Sequence, residues 1–440
     1  MQNFVEKLKR ETNKSDKAPI SEIGNVVMTD DFANQLLLVQ ELRKGTDIEK
    51  IVTPLNATEE RQAFESGDCH PVFEYNRELL NEVSSIFEDD GTSIWRTYNV
   101  ADGTIRGMLV HLLENRTRDL CCTAEFVSAM ESHSPHWQNE LMREKFGDIS
   151  EDLAIEAAMM LDELRFPDEF PKRAQHPRNE EVELNLALMQ FDAKGIKEQF
   201  ELALGKYGFE VPVKIGSYPK VTVVYNCTGI AIGIPKGITI NGIRLLELIR
   251  HKVECHVRSY MNNEALLRPY GLRSGIGAID NDILSEGYAL LEEEKLHQRL
   301  FGIGKQPTPW GTLAVDLAKE GNGFVQAANK LREYLSDCNY SRQAMNEIAW
   351  ECTYNVFRGS QNTFKAREES ESFVFTKAKL GLEGYLLAKE LEEADLHHWL
   401  EIGGLRPDEL LELAKVVDFQ PKDIPYKDKR VTFQIYNRLI

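Results

Sequence analysis

Residues 249–256 read IRHKVECH and residues 285–289 read SEGYA, and these two stretches decide the predicted fold. The first places His251 and His256 on one predicted helix, and the second places Glu286 on the next. Two imidazoles and one carboxylate are the protein ligands of many catalytic zinc sites, which keep a fourth position for water. The sequence therefore predicts a zinc site formed by these three side chains.

The spacing of the two histidines sets a condition on their helix. On a regular α-helix, residues four apart lie about 40° apart around the axis, whereas residues five apart diverge by about 140°. His251 and His256 can therefore bind one ion only at a π-type bulge or at a helix end, and such distortions are common at functional sites. His251 and Cys255 form an alternative pair, because a thiolate is also a suitable zinc ligand. A chain without a bound metal is the third possibility.

The two motifs resemble a zinc metallopeptidase-like family known by its Gln-Glu-Gly-Leu-Ala motif, which includes the microtubule-associated tyrosine carboxypeptidases. The active-site helix of that family reads His-Glu-x-x-x-His, and the glutamate of the second motif is the third zinc ligand. The resemblance thus implies His251, His256 and Glu286 as ligands. The catalytic glutamate of the family falls on Lys252, and the glutamine falls on Ser285.

Further matches extend the resemblance over most of the chain. They are PLN at residues 54–56, PVFEY at 71–75, VFRG at 356–359 and FTKA at 375–378, where the family usually has aspartate at the position of Ala378. We therefore expect an α+β, mainly helical, zinc-metallopeptidase-like fold. A small antiparallel sheet is expected next to the active-site helix.

Lys252 decides how much of the family's activity can be expected. In zinc peptidases the glutamate beside the first histidine accepts a proton from the zinc ligand water and delivers it to the leaving amine. An ammonium group has no lone pair to accept that proton. Three outcomes follow: burial and the metal lower the pKa of Lys252 until it acts as a base, Glu254 takes the role, or hydrolysis has been lost.

Four other positions are candidates for supporting roles. A peptidase that trims C-termini needs a cation for the terminal carboxylate, and Arg358 and Lys377 are predicted because both lie on family motifs. Tyr288 is a candidate oxyanion donor. One glutamate of residues 292–294 can accept a hydrogen bond from a ligating histidine.

The spacing of apolar residues along the chain predicts the order of its helices, loops and strands. Apolar residues at helical spacing occur in residues 151–165, and the proline- and charge-rich residues 166–178 indicate a boundary or a long loop. Short β-rich runs follow at 211–215, 221–225 and 229–234. We predict a helical N-terminal region, 1–178, and a zinc-peptidase-like core with a C-terminal helical part, 179–440.

Composition narrows the class of protein. The chain has 440 residues, 42% of them hydrophobic, and a net charge of −19, which disfavours nucleic acid as a partner. The charge also disfavours acidic peptide tails unless the cleft has a local basic patch. Seven cysteines without a C-x-x-C pair argue against a disulfide framework and a zinc ribbon. With no long apolar segment, the sequence predicts a cytoplasmic protein that does not bind membranes.

Two main hypotheses about function remain, with a third beside them. The first is a divergent zinc metallocarboxypeptidase-like hydrolase that acts on a peptide or peptide-like C-terminus. The second is a catalytically inactive family member, a pseudoenzyme, that binds a peptide or a partner protein in the same cleft. The third is a zinc enzyme of another amide-bond chemistry that uses Lys252.

Overall fold

The computed structural model describes residues 2–14, 17–19, 39, 48–67, 70–81, 105–132, 134–166, 180–226, 229–267, 283–302, 304–360 and 373–439, most of them helical. The α-helices span Gln2–Thr12, Ile48–Ile51, Ala57–Gly67, Ile105–Glu131, Pro135–Phe146, Glu151–Arg165, Glu180–Leu188, Ala193–Tyr207, Gly242–Leu248, Arg258–Leu267, Ile283–Phe301, Trp310–Lys319, Phe324–Asp337, Arg342–Phe357, Leu380–Glu393, Pro407–Val416 and Val431–Leu439. A π-helix spans Ile249–Val257, and 3-10 helices span Thr376–Lys379, His397–Glu401 and Pro421–Asp423. The predicted mainly helical α+β class is confirmed.

The strands are short and form three small sheets. They are β1 (Ala18–Pro19), β2 (Gln190–Asp192), β3 (Val213–Gly216), β4 (Thr222–Asn226), β5 (Gly229–Pro235), β6 (Thr239–Asn241) and β7 (Val417–Asp418). Strand β1 pairs with β7 in parallel, and β2 pairs with β6 in antiparallel. The largest sheet has the strand order β3-β5-β4.

This three-stranded sheet corrects the sequence prediction in one respect. Strands β4 and β5 are antiparallel as expected, but β3 and β5 are parallel. The reason lies in β5, whose residues 230–234 are all buried. A strand that is buried on both faces takes the centre of a sheet, so β3 and β4, although consecutive in the chain, lie at opposite edges.

The buried side chains form two apolar cores. The first combines N-terminal helices, with residues such as Val5 and Leu161, and later helices, with residues such as Trp310 and Ile424. The second extends from Leu186 to Phe301 and also includes residues of the C-terminal helix. The predicted boundary at residue 178 lies outside the described residues, and the first core joins both sides of it.

The π-helix lies between these two cores. Its Cys255 packs into the first core, whereas Val253 and Val257 pack into the second. The preceding helix begins at an N-cap, where the Asn241 side chain accepts a hydrogen bond from the backbone N–H of Arg244 at 2.9 Å. The π-helix residues around His251 and His256 are therefore packed into both apolar cores.

The helix that carries Glu286 is fixed by an unusually close helix crossing. Helix Ile283–Phe301 packs against helix Leu380–Glu393, and the backbones meet at Gly287 and Gly384. A Cβ atom on Gly287 would lie 1.9 Å from the carbonyl oxygen of Gly384. The glycine that follows Glu286 in the sequence motif is therefore required by packing.

Among the helices of the described residues, none is both long enough and apolar enough to cross a membrane.

Candidate metal centre

The π-helix brings the two predicted histidine ligands together. In a π-helix the backbone bonds run from residue i to i+5, so residues five apart lie almost one above the other. The rings of His251 and His256 accordingly lie with their centroids 4.8 Å apart. Both side chains are buried. The helix distortion that the histidine spacing requires is therefore present over Ile249–Val257.

Glu286 meets both rings from the neighbouring helix. Its Oε2 lies 3.4 Å from Nε2 of His251, and its Oε1 lies 3.3 Å from Nε2 of His256. Each residue offers one ligand atom, and the three atoms lie within 4.8 Å of one another. Ligand atoms at about 2.0–2.1 Å from a tetrahedral zinc ion are separated by roughly 3.3–3.4 Å. Each nitrogen-to-oxygen distance has this value, but the two distances involve different oxygens of Glu286, so the three side chains would have to close in slightly around one ion.

The two Nε2 atoms are among the buried polar side-chain atoms of the described residues that lack a hydrogen-bond partner. A buried polar atom without a partner costs about 1–3 kcal/mol. Because both atoms face the carboxylate of Glu286, a cation among the three groups would satisfy all of them.

A second carboxylate orients the first histidine. Oε1 of Glu293 lies 2.5 Å from Nδ1 of His251. When Nδ1 carries the proton it donates to Glu293, and Nε2 then offers its lone pair to a metal ion. One glutamate of residues 292–294, Glu293, thus lies at hydrogen-bond distance from His251, as predicted; that His251 binds a metal stays a prediction.

The protonation states of these groups suit a metal. Burial, and then the positive charge of Lys252, lowers the pKa of His256 to about 4, so its ring is neutral at pH 7. Burial raises the pKa of Glu286, but Lys252 and the interactions with the two histidines together lower it well below its usual value. A neutral imidazole and a carboxylate are the forms that bind metal.

Lys252 lies beside this group, half-buried and on the same π-helix. Its ammonium makes no hydrogen bond or ion pair of less than 4.0 Å with the part of the chain that the structure describes. Burial lowers the pKa of Lys252, Glu286 opposes this shift, and Lys220 adds to it. Lys220 is exposed, and sequence analysis did not select it, because nothing in the sequence brings residue 220 close to residue 252.

Glu254 is not brought to the histidine pair. Its carboxylate is fully buried in a separate polar cluster, where it accepts hydrogen bonds from Tyr207 at 3.1 Å, from Arg250 at 2.9 Å and from Thr432 at 2.5 Å. The backbone N–H of Val431 is a further donor. These donors occupy both carboxylate oxygens, so the geometry does not favour Glu254 as a substitute base.

Tyr288 likewise lies away from the candidate ligands. Its hydroxyl accepts a hydrogen bond of 2.6 Å from Arg258, which also donates to Glu401. Residues two apart on an α-helix point about 200° apart, so Tyr288 and Glu286 occupy opposite sides of their helix. The geometry does not favour Tyr288 as an oxyanion donor.

The Cys255 alternative is not favoured either. Its side chain is 1% exposed and packs in the first core. Burial raises the pKa of its thiol well above the usual value, which disfavours the thiolate that zinc requires. In the part of the chain that the structure describes, the cluster of potential ligands consists of His251, His256 and Glu286.

The two predicted carboxylate-binding cations pack on aromatic rings. The guanidinium of Arg358 lies 4.9 Å from the ring centre of Phe375, and the ammonium of Lys377 lies 5.7 Å from that of Phe146. Both rings belong to the first core. The role of Arg358 and Lys377 in binding a terminal carboxylate stays a prediction.

Comparison of the chain with known protein families gives no match, and comparison with curated proteins gives none either.

Proposed function

We propose that this chain is a divergent zinc metallocarboxypeptidase-like protein that acts on the C-terminus of a peptide or a peptide-like molecule. The observation that carries this proposal is the convergence of two buried imidazole nitrogens, 3.3 and 3.4 Å from the oxygens of one partly exposed carboxylate, without an aligned hydrogen bond to either nitrogen. Cysteines that are free where the structure describes them favour a reducing compartment, which we take to be the cytoplasm.

The residues present suit zinc in number, type and support. We propose that His251 and His256 supply nitrogen ligands, that Glu286 supplies a carboxylate oxygen, and that Glu293 orients the first ring. Zinc in a site with three protein ligands polarises a carbonyl group and lowers the pKa of a water ligand. The exposed part of Glu286 leaves the group accessible from solvent.

The edge of the β3-β5-β4 sheet suggests how an extended peptide would bind near the candidate metal ligands. Strand β4 is an edge strand, and it packs next to the π-helix. The backbone of an edge strand can align an extended peptide by main-chain hydrogen bonds, with its side chains alternating between the two faces. A peptide placed along β4 would pass close to the histidine pair.

A binding protein without hydrolytic activity is the second candidate, and one observation favours it. Lys252 stands where the family pattern has its proton-accepting glutamate. The nearest other carboxylate in the sequence, that of Glu254, already accepts hydrogen bonds from four donors. A cleft that keeps its metal ligands and lacks a base can still bind a peptide end. The two candidates share the metal site and differ in turnover.

The test measures metal content first. Purified protein is loaded with zinc, dialysed and analysed for metal, and we expect about one zinc per chain in the wild type and almost none in His251→Ala and His256→Ala. His397→Ala is the matched control, because the His397 side chain is 48% exposed and lies on another element. Equal zinc in all four proteins, or none in the wild type, would refute the proposal. Turnover of a peptide panel by the loaded protein then separates the two candidates.

A further inference from the structure

A cavity lies on the side of helix Ile283–Phe301 that faces away from Glu286. It has a volume of about 280 Å³ and lies between this helix, the start of the π-helix, the 3-10 helix His397–Glu401 and residues 428–433. Tyr288 lines it, and Tyr288 points about 200° away from Glu286 on their common helix. The volume is slightly below the range of about 300–1,000 Å³ of pockets for drug-sized ligands. The cavity therefore suits a smaller molecule, and it is separate from the candidate metal centre.

One face of helix Ile283–Phe301 gives the cavity its length. Four residues with polar side chains line the cavity from this helix at spacings of three or four positions, so they form a row. They are Tyr288, Glu292, Lys295 and Arg299. With a rise of about 1.5 Å per residue, the row is about 16 Å long. The two ends of the cavity can therefore bind two different groups of one elongated ligand.

At the Tyr288 end, two side chains keep unused hydrogen-bonding capacity. The Tyr288 hydroxyl accepts a hydrogen bond of 2.6 Å from Arg258, and its own hydrogen has no acceptor among the described residues. Oε2 of Glu401 accepts a hydrogen bond from Arg258, whereas Oε1 has no donor in the described parts of the chain. Tyr288 is 5% exposed and the Glu401 side chain is 14% exposed, so a polar group in the cavity is needed to satisfy them.

The ionic cluster around this end contains more carboxylates than cations. Three cations, those of Arg250, Arg258 and Lys295, make ion pairs with five carboxylates. The carboxylates belong to Glu254, Glu292, Glu392, Glu401 and Asp428. Because ionised groups with little access to water need compensating charges nearby, this excess favours a positively charged group in the cavity. The free Oε1 of Glu401 is the acceptor for such a group.

The opposite end of the row has unpaired cations. The guanidinium of Arg299 lies 4.8 Å from the ring centre of Phe433, and Arg430 precedes Phe433 by three residues. Both arginines line the cavity, and neither makes an ion pair with the described residues. A guanidinium group suits a carboxylate well, because it can donate two parallel hydrogen bonds. This end therefore favours a negatively charged group.

We infer that the cavity binds a small zwitterionic molecule, whose ammonium group contacts Glu401 and whose carboxylate contacts Arg299 and Arg430. The ligand class is an amino acid in which several bonds separate the two charges. The inference depends neither on zinc nor on peptide hydrolysis. It adds a second binding site on the other side of the helix that carries Glu286.

The experiment compares a zwitterion with molecules that lack one of its charges. Isothermal titration calorimetry measures the binding of ε-aminocaproate, hexanoate and hexylamine to the metal-free protein. We expect the wild type to bind ε-aminocaproate about ten- to a hundred-fold more tightly than either of the others, as is usual for an added hydrogen bond to a charged group. Arg299→Gln and Arg430→Gln should each weaken the binding of ε-aminocaproate and leave that of hexylamine unchanged. The control Arg438→Gln, at an exposed arginine that does not line the cavity, should change neither.

Two further variants test the place of binding. Glu401→Gln should weaken the binding of ε-aminocaproate and of hexylamine; if it does not fold, as judged by its thermal unfolding, the two arginine variants decide. His256→Ala should keep the full affinity for ε-aminocaproate. No binding of ε-aminocaproate at millimolar concentration, equal affinity for the three compounds, or loss of binding in His256→Ala would overturn the inference. The expected preference in a protein that binds no zinc would support it and refute the proposed metal site.

Discussion

Replacement of Gly287 by alanine should separate the two helices that position Glu286. The new Cβ atom would lie 1.9 Å from the carbonyl oxygen and 2.1 Å from the carbonyl carbon of Gly384. Ordinary contacts of a Cβ atom are not shorter than 3.0 Å, so the helices must move apart by about 1 Å in a densely packed interior. Overpacking of this kind costs about 1–3 kcal/mol or more, and the better helix propensity of alanine returns at most about 1 kcal/mol.

Gly381→Ala is the matched control for this change. Gly381 lies on the same helix as Gly384, and a Cβ atom there would meet only Leu290, at an ordinary 3.6 Å. We expect Gly381→Ala to be neutral or stabilising and Gly287→Ala to lower the free energy of unfolding by about 1–3 kcal/mol in urea denaturation. Gly287→Ala should also bind zinc more weakly, because Glu286 is the adjacent residue. Equal stability of the two variants would show that the helix crossing is not as close as described.

Further outcomes are expected at three other positions. Glu293→Gln should weaken zinc binding about 10- to 100-fold in a competition assay with a chelator. The control Glu294→Gln should leave zinc binding unchanged, because Glu294 accepts a hydrogen bond from the hydroxyl of Tyr385. At equal zinc occupancy, Lys252→Glu should raise kcat for peptide hydrolysis by about 10²–10⁴-fold; an unchanged kcat would show that the cleft no longer supports peptidase chemistry. Burial raises the pKa of Asp408, but its interactions with His111, at 3.7 Å, and with Arg406, at 3.1 Å, together lower this pKa to about 2. Because this pKa lies below the unfolded value of about 3.9, Asp408 stabilises the fold above pH 4 and ceases to do so as the pH falls to about 2. The stability lost in Asp408→Asn, at most about 1 kcal/mol for a half-exposed pair, should disappear in urea denaturation at pH 2.

The metal-ligand geometry could be predicted because it depends on local spacing. His251 and His256 are five residues apart, and only a distorted helix lets such residues converge, so the π-helix follows from the requirement for a common ligand. The supporting hydrogen bond from residues 292–294 is likewise a matter of helix geometry, because Glu293 lies two turns beyond Glu286 on the same helix face. Both features could be predicted because each depends on the number of residues between two side chains of one helix.

The roles of other residues depend on contacts between distant parts of the chain. Glu254 is satisfied by Tyr207 and Thr432, and Tyr288 is bound by Arg258. No sequence pattern indicates these pairings. From the sequence alone, the carboxylate of Glu254, close to His251 and His256, was therefore a candidate base. The parallel pairing of β3 with β5 has the same origin, because strand order is decided by which strand is buried on both faces.

The π-helix also bears on how such a centre changes through insertion and deletion. Its bonding pattern accommodates one more residue per turn than an α-helix does. Removing one residue between His251 and His256 would restore the α-helical repeat and place the histidines four apart, where they again share a face. The flanking helices Gly242–Leu248 and Arg258–Leu267 would keep their packing. An insertion of one residue can therefore alter which side chain stands beside the metal ligands without rebuilding the fold around them.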